Sequence, residues 1–264
     1  MSACLDNREI PLFSCLQKKI KNRKGKVTWK ITDGRPDYKP TSFSEAYEYL
    51  SQGGTILGEG REGIVYDLGC GKVIKISRSK SATTPFGPTK IKRIITDFKI
   101  SLIVGEIQIG PRLFDFGFLN LTTGGQVAYI TIQKLSLVPK KGEIVCSVEA
   151  QEQLFNLYMV LAKLKVSTND YNILNIMWEP VTQQFRLIDF GAAKKFKTVE
   201  LAKQANISVL ISITRAILGK TLQSSGGVHT VRCSEVDYLI KLLFMNSNDK
   251  NKKRLKVFFP KYKF

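Results

Sequence analysis

The stretches TNDYNILNIM at 168–177 and RLIDFG at 186–191 hold the most chemically suggestive side chains: Asp170, Asn175 five residues on, and Asp189 fourteen residues further. NIMW and FRLID read as two strands joined by the loop EPVTQQ, and an antiparallel hairpin of that kind sets Asn175 beside Asp189. An asparagine oxygen and a carboxylate are hard ligands of the type Mg²⁺ or Mn²⁺ takes, and a neighbouring carboxylate such as Asp170 can orient and deprotonate a hydroxyl. A polar loop with an Asx turn explains one Asp or Asn, but not three at this spacing.

A second constellation lies upstream in GEGREGIV at 58–65. Gly58, Gly60 and Gly63 let a backbone fold closely over phosphate groups, where a side chain would block the approach. Dinucleotide-binding proteins follow such glycines with a helix, whereas IVYDLGCGKVIKI continues as two strands, so the pattern predicts a phosphate flap between strands. Twelve residues past Gly63 is Lys75, in a β-branched strand, where an ammonium could reach nucleotide phosphates. Lys72 at the preceding turn is expected to be solvated.

Asp-Phe-Gly occurs twice, at 115–117 and at 189–191. In RLFDFGFLN the residues Phe114, Phe116 and Phe118 alternate with Leu113, Asp115 and Gly117, which predicts a half-buried strand paired with QVAYITIQKL. Asp115 lacks the partners that surround Asp189, so the second copy is the expected metal site.

The elements that must position these residues follow from periodicity and turn signals. SFSEAYEYL reads as a helix with Ser42 as N-cap and Glu45 as its capping-box partner. TILGEG, GIVYDLG and GKVIKIS read as strands, and residues 90–108 as a helix ended by Gly110-Pro111. Past a connector near 136–147, residues 149–166 carry apolar side chains at helical spacing, and the remainder is mostly helical. A strand-rich half with one helix followed by a helix-rich half predicts two lobes with a cleft between them. The segment TRAILGKT at 214–221 lacks the first glycine of a Walker motif and reads as a helix end capped by Gly219.

Composition narrows the remaining classes. Lys and Arg total 41 against 22 Asp and Glu, a formal charge of +19, densest at 18–30 and 250–264. These basic ends are candidate sites for a polyanion, either nucleic acid or an acidic protein. No membrane span is expected, since even ISVLISITRAIL is broken by Arg215, and MSACLDNREI does not resemble a cleaved signal. The five scattered cysteines are expected to be reduced thiols, and the single histidine, His229, is expected to be structural.

Together, GEGREGIV, the lysine of VIK, D-x-x-x-x-N at Asp170 and Asn175, and DFG at Asp189 resemble the protein kinase superfamily in order and spacing. The resemblance implies an α+β, two-lobed kinase-like fold: an N-lobe antiparallel sheet with one helix at 51–138, a reduced, mainly helical C-lobe at 139–264, and a basic extension at 1–50. It implies ATP and Mg²⁺ as cofactors, with Gly58, Glu59, Gly60, Arg61, Glu62, Gly63 and Val65 around the nucleotide and Lys75 on its phosphates. Asp170 would be the catalytic base, while Asn175 and Asp189 would be the metal ligands. The helix acid that pairs with the lysine falls on Asp97, with Glu106 as the alternative.

Several positions depart from that pattern. The residues before Asp170 are Thr168 and Asn169, so the arginine that receives an activation-loop phosphate is missing, and Asn172 replaces the catalytic-loop lysine. No A-P-E follows the DFG, and Thr198 is the only hydroxyl in the first dozen residues after Gly191. The expectation is a minimal, intrinsically active serine/threonine protein kinase, monomeric and cytoplasmic, similar to those of large DNA viruses or secreted bacterial effectors. If viral, it would act in the host cytoplasm or virion. The alternatives are a small-molecule phosphotransferase of the same fold and a pseudokinase acting as a basic nucleic-acid-binding module.

Overall fold

The computed structural model describes residues 19–21, 27–29, 38–60, 63–137, 147–219, 222–224, 227–229 and 236–262. Within them the architecture is α+β, with a five-stranded antiparallel sheet and six helices. The chain divides into two units, Met1–Leu102 with Pro111–Lys134 and Ile103–Gly110 with Leu135–Phe264.

In the first unit, strands β1 (Lys19–Lys21) and β2 (Val27–Trp29) pair as a short ladder. Helix α1 (Phe43–Ser51) then starts at the predicted cap. Ser42 Oγ accepts the Glu45 N–H at 3.2 Å, while Glu45 Oε2 reaches back to the N–H and hydroxyl of Thr41, each at 2.7 Å. Strands β3 (Thr55–Gly60), β4 (Gly63–Gly69) and β5 (Lys72–Arg78) follow, then helix α2 (Pro88–Glu106), whose last turn belongs to the second unit. Strands β6 (Leu113–Asn120) and β7 (Gln126–Gln133) complete a sheet of order β3-β4-β5-β7-β6.

Both faces of the sheet are covered over β5, β7 and β6, whereas β3 is exposed along its whole length. Ala46 and Leu50 of α1, one helical turn apart, pack with Ile74, Ile76, Leu119, Val127 and Tyr129 on one face. Ile94 and Phe98 of α2 pack with Leu113, Phe116, Phe118, Ala128 and Ile130 on the other. The strand-rich half therefore has a second helix, drawn from the segment expected to be an N-terminal extension. The alternation of Ile74 and Ile76 with Val73 and Lys75 leaves an apolar face that α2 does not reach.

The first DFG is indeed in a strand, but its register shifts between Leu113 and Asp115. This bulge brings Leu113 onto the α2 face with Phe116 and Phe118 and takes Phe114 out of the expected row. Phe114 instead lies under Lys72 and Arg112, at 4.8 and 5.4 Å from its ring centre. Cys70, at the β4–β5 turn, is disulfide-bonded rather than a free thiol, and its partner falls outside the described residues.

In the second unit, β8 (Ser136–Leu137), β10 (Ile176–Glu179) and β11 (Gln184–Leu187) form one small sheet, and β9 (Val166–Ser167) and β12 (Lys194–Lys195) form another. Helices α3 (Val148–Lys163), α4 (Val199–Gly219), α5 (Asp237–Asn246) and α6 (Asp249–Phe258) supply the core, and strands β13 (Leu222–Ser224) and β14 (Gly227–His229) form a hairpin after α4. The run TRAIL at 214–218 lies inside α4, whose last described residue is Gly219; Lys220 and Thr221 lie outside the described residues. Ala202, Ile207, Leu210, Ile211 and Ile213 of α4 are buried around much of its circumference, the pattern of a central helix.

Much of the basic C-terminal segment lies in α6, which is docked on α4. Asn251 Nδ2 donates to the Gln204 carbonyl at 2.9 Å, and Arg254 donates to the hydroxyls of Ser208 and Ser212 on α4. None of the described helices is long and apolar enough to cross a membrane.

Candidate functional site

Two short loops of the second unit are pinned at both ends. Residues 168–175 run from β9 to β10, and residues 188–193 run from β11 to β12. The β10–β11 hairpin, with Ile176 opposite Leu187, joins the loops on one side, and the β9–β12 ladder, with Ser167 opposite Lys194, joins them on the other. The Ile188 N–H donates to the Asn175 carbonyl at 2.9 Å, so Asn175 adjoins the residue before Asp189, as the hairpin reading predicts.

The hairpin is stiffened from within. Arg186 and Glu179 form a buried ion pair across β10 and β11, Thr182 donates to Glu179 Oε2 at 2.7 Å, and Arg186 donates to Gln184 at 2.7 Å. A buried charge pair with its remaining valences satisfied is costly to break from one side. Gln153 of α3 accepts the Phe185 N–H at 2.9 Å, tying β11 to the helical core.

Within the first loop Asp170 is held through both carboxylate oxygens. Oδ1 accepts the Asn172 N–H at 3.0 Å, and Oδ2 accepts Nδ2 of Asn175 at 3.0 Å. Asn172 Oδ1 in turn accepts the Leu174 N–H at 3.1 Å and caps the 3₁₀ turn Ile173–Asn175. Asn172 is thus the turn-former for Asn175. Because Nδ2 of Asn175 is engaged with Asp170, its Oδ1 is the atom left to act as an acceptor or ligand.

Asp189 has φ of 58°, a left-handed conformation that among residues with a side chain Asn and Asp adopt more readily than most. Its Oδ1 faces the Gly191 N–H at 3.4 Å, and Phe190 beside it is fully buried, anchoring the turn. The half-buried carboxylate and Asn175 Oδ1 are hard oxygen donors that suit a small divalent cation completing its shell with water and phosphate oxygens. Among the described residues no group of three or more His, Cys, Asp or Glu converges.

Asn206 and Tyr158, which the sequence did not mark, support the loops together with Thr168. Asn206, fully buried on α4, donates to the carbonyls of Tyr158 on α3 at 3.0 Å and Val166 on β9 at 2.9 Å. Tyr158 is buried with its hydroxyl hydrogen-bonded to Thr168, and Thr168 in turn donates to the Asp170 carbonyl at 3.4 Å. Burial, reinforced by the negative charge of Asp170, pushes the Tyr158 phenol above its ordinary range. A lone asparagine inside the apolar run ANISVLISI was the available signal for Asn206.

The residues expected to form a phosphate flap belong to the first unit. Gly58 pairs with Val65, Val65 with Lys75 and Lys75 with Ile130, so Gly58, Val65 and Lys75 form one row across β3, β4 and β5. Cross-strand partners share a face, and Ile130 places half-buried Lys75 on the α2 face. Gly60 pairs with Gly63 at the hairpin tip, next to Glu59; Arg61 and Glu62 lie outside the described residues. A Cβ on Gly58 or Gly60 would meet nothing within 4 Å, whereas one on Gly63 would stand 2.2 Å from the Ile76 carbonyl oxygen. Gly63 is therefore required by the sheet, while Gly58 and Gly60 leave open space above the strand.

Asp97 is half-buried on α2, its Oδ1 accepting the Ser101 hydroxyl at 3.3 Å, and Glu106 is exposed at the end of the same helix. Asp115 Oδ1 accepts the Phe116 N–H at 2.8 Å within the bulge of β6. Neither a scan against protein-family models nor a search of curated proteins finds a match to this chain.

Proposed function

We propose that the chain is a minimal, two-lobed protein kinase that transfers the γ-phosphate of ATP to serine or threonine hydroxyls of a protein substrate. The reading is carried by one observation: the carboxylate of Asp170 is locked by the Asn175 amide inside loops pinned by two ladders, with Asp189 at the adjoining turn. A base held by two donors keeps its orientation while each oxygen retains a lone pair for an acceptor hydroxyl.

In this reading the acceptor oxygen bonds to the γ-phosphorus as the bond from that phosphorus to the β–γ bridging oxygen breaks. ADP leaves, and the hydroxyl proton passes to Asp170. Asn175 Oδ1 and Asp189 would hold Mg²⁺, which when bound supplies compensation for the phosphate charge. Gly58, Glu59, Gly60, Gly63 and Val65 would lie along the nucleotide, with Lys75 as the cation on its phosphates and Asp97 as the helix acid.

Activity would not require loop phosphorylation. Only residues 192–198 separate Gly191 from α4, two of them already pair with β9, and Asn169 stands where a phosphate-binding arginine is needed.

The test is incubation with Mg²⁺ and γ-labelled ATP in the presence of casein, histone, an aminoglycoside or a sugar, with the Asp189→Ala variant as blank. Label on serine or threonine of protein supports the reading. Label on the small molecules alone moves it to a small-molecule phosphotransferase, and label on none of them rejects it.

A further inference from the structure

The short segment between Gly191 and α4 carries Lys194, Lys195 and Lys197, all exposed. Lys194 and Lys195 constitute β12 and stand opposite Ser167 and Val166, immediately before the loop that holds Asp170. The Phe196 N–H donates to the Lys165 carbonyl at 2.8 Å, which brings exposed Lys165, and Lys163 at the end of α3, to the same ladder. Five lysines thus flank the ladder that leads into both carboxylate-bearing loops. The acids near them in the chain are Asp170 and Asp189 of the site and Glu200, whose Oε1 already accepts Gln204 Nε2 at 2.7 Å.

Lysines that serve only solubility have no reason to concentrate beside two functional carboxylates, where they add positive field to the place an acceptor must enter. β12 pairs with β9 alone among the described residues, and a short exposed strand is suited to contact an extended peptide.

We propose that the lysines around the β9–β12 ladder select the substrate: a peptide whose acceptor hydroxyl is flanked by aspartate or glutamate. This inference rests on the protein-kinase reading above. Exposed ion pairs are individually weak, but two or three together amount to about tenfold in recognition, and salt should screen them.

The test uses the full chain with Mg-ATP and three peptides of equal length, each with one serine flanked by glutamates, alanines or lysines. Binding of the same peptides is followed by fluorescence anisotropy. The glutamate peptide is expected to exceed the alanine peptide about tenfold in kcat/KM and in affinity, with the ratio falling towards one at high salt. A Lys194→Glu, Lys195→Glu, Lys197→Glu variant should invert the ratio, and the corresponding Gln variants should bring it to one. Equal use of the three peptides, a preference for the lysine peptide, or a ratio untouched by salt and by the Gln variants overturns the proposal. Tighter binding of a mixed-sequence DNA oligonucleotide than of a glutamate peptide of equal charge also overturns it, in favour of a nucleic-acid surface. If the glutamate peptide binds in the expected manner but no peptide is phosphorylated, the kinase reading fails and the acidic-peptide surface stands.

Discussion

The side-chain amide of Asn175 donates to Oδ2 of Asp170 at 3.0 Å, so the candidate base and a candidate metal ligand share one hydrogen bond. Their relative position is set by chemistry local to the loop, since Asn172 caps the turn that contains Asn175 and also donates its N–H to Asp170. Truncation of either side chain removes this bond, whereas asparagine at 170 keeps an oxygen that can accept it.

Asp170→Asn should lower phosphoryl transfer by roughly 10²- to 10⁴-fold, about 3–5 kcal/mol of barrier, with nucleotide affinity little changed. Asp115→Asn is the control, because the asparagine carbonyl can still accept the Phe116 N–H. Single-turnover rates with labelled ATP check both, and equal loss in the two variants would remove Asp170 from the mechanism.

At Asp189, Ala and Gly should separate backbone from side-chain effects. Ala in the left-handed conformation at φ 58° costs about 1 kcal/mol, whereas Gly adopts it freely. Both variants should lose Mg²⁺-dependent ATP binding, and only Ala should show a strained turn in denaturant titration. Unchanged Mg-ATP affinity in either variant would refute the metal assignment.

The three flap glycines should divide. Gly63→Ala drives a Cβ into the Ile76 carbonyl at a φ of 151° and should destabilise the sheet by several kcal/mol. Gly58→Ala and Gly60→Ala meet open space, so melting should change by less than about 0.5 kcal/mol while ATP affinity falls. Nucleotide titration alongside thermal melting distinguishes the groups.

Asn206→Leu should destabilise the second unit by about 2–4 kcal/mol, since the Val166 and Tyr158 carbonyls lose their donor. Urea unfolding measures the loss. Hydrogen exchange should rise first in residues 166–170, which Asn206 ties to α3.

The hydrogen bonds from Thr41 hold the Glu45 carboxyl below its ordinary range. A lowered acid contributes stability that is complete above the glutamate range and is lost as pH falls through the folded-state value. Glu45→Gln should therefore narrow the stability difference between neutral and acid pH, as read by melting from pH 7 to pH 3.

Much of the site was legible because it depends on near neighbours in the chain. The Ser42 cap and the hairpin joining Asn175 to Asp189 follow from spacing and turn residues alone. That the first DFG lies in a strand was legible too, although not the alternation expected around Asp115. The bulge that displaces Phe114 was not, because the packing of Leu113, Phe116 and Phe118 in one cluster with Phe98 of α2 joins segments distant in the chain. Nor were the β9–β12 ladder, the docking of Arg254 on Ser208 and Ser212, or the reach of Asn206 from α4 to Val166 forty residues earlier. Residue types and short-range periods determined which side chains could do chemistry and on which kind of element each would sit. Only tertiary packing decided which loops are clamped together and which buried donors hold them, because those pairings join distant segments and form only where burial offsets the entropy of closing the chain between them.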